Sequence, residues 1–132
     1  MITLVKNQYY ELAYSAAKNR IYCTLIGYWR SADLVPTYVA DWEKAVRLTQ
    51  RGFTVLADNR EMKTHPATVK ALHAQVADTL PRAGMSYLAE VVAIDKIAVL
   101  QVSGITQQAG VGHIRVESLP LGEQILDQLM PR

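Results

Sequence analysis

The side chains in this chain best suited to hold a metal or attack a substrate are three histidines, one cysteine and a few serines. Their spacing argues against both chemistries. A zinc site needs Cys, His or carboxylates gathered around one ion. His65 and His73 are two helical turns apart, so they cannot share an ion if that segment is helical. His113 belongs to a different element, and all three read as structural or surface histidines. Cys23 sits in the apolar run Ile21 to Ile26. It has no second cysteine for a disulfide or a CxxC pair, and it reads as a small buried hydrophobe. Ser86, Ser103 and Ser118 lie in no G-x-S-x-G turn. Gly104, Gly110 and Gly112 lack the spacing of a phosphate cradle and read as a helix end. No cofactor, metal or catalytic residue is expected. The best polar candidates are Asp58, Arg60 and Glu61, just beyond the apolar run Phe53 to Ala57. Open parallel sheets place ligands at such strand exits. The plainer reading is an exposed loop with ordinary surface charges.

The elements that position these residues follow from periodicity. Tyr10, Leu12 and Tyr14 alternate with Glu11 and Ala13. Ser15 to Asn19 is a turn, and Arg20 to Trp29 is a β-branched and aromatic run. Asn19 suits the reversal because asparagine tolerates the left-handed region. A helix follows, capped by Ser31 or Asp33, with Pro36 in its first turn and an apolar stripe of Val35, Tyr38, Val39, Trp42, Ala45 and Val46. Gly52 ends it. Phe53 to Ala57 is a central strand. A second helix starts at Thr64 as cap, carries Val69, Leu72, Val76 and Leu80, and stops at Pro81. Met85 to Ile94 is a strand. The stretch after it fits a strand over Ile97 to Val102, or a helix capped by Asp95 with Ala98, Val102, Ile105 and Ala109 buried. The polar run Gln101 to Gln108 favours the helix. His113 to Glu117 is a last strand. Ser118 caps a final helix with Leu121, Ile125 and Leu129 on one face.

The order β-β-α-β-α-β-α-β-α predicts one α/β domain over 1–132, with a mixed, mostly parallel sheet and an N-terminal antiparallel hairpin. The net charge of +2 is spread along the chain, without the dense basic window of a nucleic-acid binder. Neither a signal peptide nor a membrane-crossing stretch is apparent. Together with the lone thiol this points to the cytoplasm.

This order, with Gly52 to Asp58, Leu88 to Val92, Gln101 with Gln107 to Gly110, and Val116 to Leu119, resembles the SpoIIAA-like fold. That is the fold of the anti-sigma-factor antagonist (STAS) domains and of related small bacterial proteins of unclear function. The resemblance implies a non-enzymatic interaction or regulatory module. In STAS antagonists a kinase phosphorylates a serine at the start of the second helix. The matching segment here, Met62 to Thr68, has no serine. Thr64 and Thr68 are its only hydroxyls, and Thr64 is expected to cap. The implied docking surface for a protein partner is Asp58, Arg60, Lys63, Thr64 and Thr68. The aromatics Tyr9, Tyr10, Tyr14, Tyr22, Tyr28 and Trp29 suggest a homodimer through the opening hairpin. The alternative function is small-molecule or lipid binding in an apolar pocket, as in the architecturally related CRAL-TRIO proteins.

Overall fold

The computed structural model describes residues 1–110 and 112–130. Strands β1 (Ile2–Lys6), β2 (Tyr10–Ser15) and β3 (Arg20–Leu25) form an antiparallel meander. Helix α1 (Tyr38–Leu48), strand β4 (Thr54–Asp58), helix α2 (Ala67–Arg82), strand β5 (Tyr87–Val91), helix α3 (Lys96–Ala109), strand β6 (His113–Val116) and helix α4 (Leu119–Gln128) follow. The described residues form one six-stranded sheet in sequential order, parallel from β3 to β6. No helix among them is long and apolar enough to cross a membrane.

Strand alternation sorts the sheet into two faces. Tyr10, Leu12, Ile21, Cys23, Val55 and Ala57 point to the face covered by α1, α2 and α3, where the main core lies. Their neighbours Leu56 and Ala89 point to the other face, where α4 seats Leu126. Three helices therefore cover one face and a single helix the other.

Several expectations held. Asn19 takes φ +49° in the β2–β3 turn. The Asp95 carboxylate accepts from the amides of Ile97 and Ala98, so 96–109 is a helix and not a strand. Gly110, left-handed at φ +71°, ends it. Ser118 caps α4.

Others need correction. β1 was not anticipated, because a short edge strand needs only one partner and its residues are largely exposed. Ser31 caps a single 3-10 turn, Ala32–Leu34, and α1 begins only at Tyr38, so Pro36 lies outside it. Thr64 does not cap α2. The helix starts at Ala67 with Pro66 at the cap position, and Thr64 bonds Asp95 instead. Pro81 lies inside the last turn of α2 instead of stopping it before that residue; the helix runs one residue further, and Gly84 N–H closes onto the Pro81 carbonyl at 3.0 Å. The face of α4 that packs is Leu119, Gly122 and Leu126, and Leu121 and Leu129 are exposed. Gly122 decides this. A Cβ there would stand 2.7 Å from Leu56 Cδ1 and 3.2 Å from Val116 Cγ2, so only glycine lets α4 lie this close to the sheet.

Candidate functional site

The C-terminal ends of β4 and β5 are where the sequence placed the candidate surface. Asp58 is the last residue of β4, and its carboxylate takes the Arg60 guanidinium at 2.9 and 2.8 Å. That pairing holds the Asp58 carboxyl below the usual carboxylate range. Arg60 is thus occupied, though exposed. The Arg60 carbonyl accepts from Ile94 N–H, and Asn59 N–H donates to the Val91 carbonyl, so the β4–α2 and β5–α3 connections are stitched together. Thr64 adds its amide and hydroxyl to Asp95 at 3.2 and 3.3 Å. His65 N–H donates to Gln101 Oε1, while Gln101 Nε2 donates to the His65 carbonyl. Lys63 and Thr68 are exposed and make no side-chain hydrogen bond among the described residues. Of the five predicted residues the structure therefore couples Asp58 to Arg60, ties Thr64 to the neighbouring connection, and leaves Lys63 and Thr68 free on the same rim.

Next to that rim lies a feature the sequence analysis did not single out. Ile94, Ile97 and Leu100 are 80 %, 60 % and 71 % exposed. Ile97 and Leu100 sit three apart on α3, so they share its outer face, and Ile94 leads into it. Lys63 and Lys96 are exposed nearby, as is Glu61.

The histidines are also not where spacing put them. α2 begins after His65, so the extended residue folds back onto the helix and the two rings meet. His65 Nδ1 and His73 Nε2 are 2.9 Å apart, His65 Nε2 is 3.0 Å from the Gly27 carbonyl, and His73 Nδ1 is 3.0 Å from the Tyr38 hydroxyl. One proton assignment satisfies the chain. His65 Nε2–H donates to Gly27, His73 Nε2–H donates to His65 Nδ1, and Tyr38 O–H donates to His73 Nδ1. Both rings are neutral in this assignment, and a proton added to His65 Nδ1 would set donor against donor across the 2.9 Å contact. Burial enforces this. It lowers His65, and it lowers His73 to about 3, with His65 as a smaller contributor. Trp29 stacks on His65 with centroids 4.8 Å apart. Among the described residues no three His, Cys, Asp or Glu side chains could hold a metal ion together.

A second buried polar group surrounds Glu90, on β5. Its carboxylate accepts from Asn59 Nδ2 at 2.6 Å and meets His113 Nε2 at 2.8 Å. Glu90 lies opposite Ala57 on β4 and Arg115 on β6, so Asn59 and His113 stand two residues along on the same face, within side-chain reach of its carboxylate; sequence distance hides this. Burial pushes the Cys23 and Tyr38 groups up, so neither ionises readily. Of the hairpin aromatics, Tyr10, Tyr14 and Trp29 are core residues, and Tyr28 is the exposed one. Comparison with known protein families, with curated proteins and with solved structures found no match to this chain.

Proposed function

We propose that this chain is a cytoplasmic, non-enzymatic regulatory module of the STAS-like type. It docks a partner protein where the β4–α2 and β5–α3 connections meet. The observation that carries this reading is the exposed trio Ile94, Ile97 and Leu100, beside the rim of Arg60, Lys63 and Thr68. Large aliphatic side chains clustered in water are costly unless covered, and such clusters mark interaction sites. The rim mixes signs, with Asp58 and Glu61 among Arg60, Lys63 and Lys96. An anionic bilayer selects a uniformly basic surface, whereas a protein interface has an apolar centre and a mixed polar rim. The hydrogen bonds joining the two connections hold the surface in one shape before binding, which limits the entropy lost on docking. The non-enzymatic reading is supported by a thiol and a phenol that burial keeps protonated, and by His65 and His73, whose ring nitrogens are taken up by one another, the Gly27 carbonyl and the Tyr38 hydroxyl.

The test is a photo-crosslinking residue placed at Ile97, with the exposed Glu43 of α1 as control position, in cells that make the protein. The expected result is a defined protein adduct from position 97 that disappears when Ile94 and Leu100 are changed to Asp. Equal adducts from both positions, or an adduct unaffected by those changes, refutes the assignment.

A further inference from the structure

Between the sheet and helices α1, α2 and α3 lies a cavity of about 80 Å³, with Val55, Ala57, Ala77, Leu80 and Ile105 among its apolar walls. All its wall residues are buried except Leu88 and Val102, which are half-buried. Two polar atoms in the walls lack partners. Asn59 is 4 % exposed and spends its amide nitrogen on the Glu90 carboxylate, which leaves Oδ1 with no donor. Turned round, the amide would set its own oxygen against the Glu90 carboxylate oxygen 2.6 Å away. Trp42 is 6 % exposed, and its Nε1–H faces the Tyr38 oxygen without a hydrogen bond of acceptable geometry. Buried polar groups without partners are rare and costly.

We propose that this cavity is a binding site for a small neutral molecule with a compact apolar body and one hydroxyl or amide group. The hydroxyl or amide N–H would donate to Asn59 Oδ1. Size sets the upper limit. At roughly 10–15 Å³ per water, the 80 Å³ space corresponds to about five to eight waters. That is a molecule of about five to ten non-hydrogen atoms, so a lipid chain does not fit. Charge sets the rest. No Lys or Arg lines the cavity, His73 is held neutral, and Glu90 lies just behind Asn59. A carboxylate ligand would therefore enter without a counter-charge. A single water could answer Asn59 Oδ1, but the largely apolar wall offers no partners to the further waters that would fill the space. The site is separate from the docking surface, although α3 contributes Ile105 to one and Ile97 to the other.

Phenol, benzene and benzoate are the three reagents, titrated into the intact chain and followed by methyl NMR. Phenol is expected to give saturable shifts at Val55, Ala57, Ala77 and Ile105, about five- to tenfold tighter than benzene, the worth of one buried hydrogen bond. Benzoate is expected not to bind. Ala77→Leu should fill the cavity and abolish the phenol shifts while leaving the remaining spectrum native. If that variant does not fold, the comparison of phenol with benzene in the unmodified protein decides alone. Phenol shifts that are absent or spread over the surface overturn the proposal, as does benzene or benzoate binding as tightly as phenol.

Discussion

Acidification should unfold this protein through His73. Unfolded, the ring takes a proton near its ordinary 6.5; folded, burial delays protonation until about 3. The folded value is the lower one, so the unfolded chain binds more protons across that window and stability falls as pH falls. The contribution is complete above pH 6.5 and is lost progressively towards about 3, at about 1.4 kcal/mol per pH step. His73 is buried, so solvent screening does not reduce this figure. Between pH 6.5 and 5.0 the loss is about 2 kcal/mol, or a fall in Tm of roughly 6–8 °C for a domain of this size. His65, also lowered by burial, adds to it. Asp58, Glu123 and Asp127 are lowered too, but carboxylates act below about pH 4.5, so this window isolates the histidines. Urea unfolding followed by tryptophan fluorescence at pH 7.0, 6.0, 5.5 and 5.0 gives the slope. His73→Asn removes the titrating group but keeps a polar side chain, and its slope should shrink to the part His65 supplies. A stability that is flat over this range, or a slope unchanged in His73→Asn, would refute the neutral histidine chain.

Other outcomes follow from the opposite face and the core. Arg20 is fully buried and joins Thr54 at 2.8 Å, Asp127 at 2.9 Å and Glu123, anchoring α4 to the hairpin together with Lys18. Arg20→Met should cost about 1–3 kcal/mol in urea unfolding, and it should raise hydrogen exchange first in α4; uniform loss of protection would contradict a local anchor. Gly122→Val should force α4 from the sheet at Leu56, at a cost of about 1–3 kcal/mol; unchanged stability would mean the close approach is not needed. Cys23, buried with its thiol pushed up, should react with a maleimide only as fast as the protein unfolds. Rapid modification of the native protein would show that β3 is accessible. Ile97→Asp should leave Tm within about 2 °C, since that side chain lies in solvent.

The class of fold was legible because it rests on local physics. Alternation in Tyr10 to Tyr14, the Asp95 cap, the Ser118 cap and the Asn19 turn each depend on residues within four positions of one another, and each is as expected. Together they give the strand–helix alternation and the mixed sheet. The sequence also placed Asp58, Arg60 and Thr64 on one rim, because strand exits in parallel sheets lie on one edge. Errors arose where two distant segments compete for one residue. Thr64 is a good cap, but Asp95 offers it a partner 31 positions away, so it leaves the helix. The exposed trio had a weak signal in the spacing of Ile94, Ile97 and Leu100, which runs off the buried stripe of α3.

Composition and periodicity alone determined how much could be buried and which segments must twist or coil, because both are short-range properties of the backbone and its side chains. Tertiary structure alone decided which polar groups met. His65 reaches His73 only because α2 starts late, Asn59 meets Glu90 only because β4 and β5 lie side by side with Ala57 opposite Glu90, and α4 picks its face only because Gly122 has no side chain. Each of these is a distance set by packing between elements, and no window along the chain contains it.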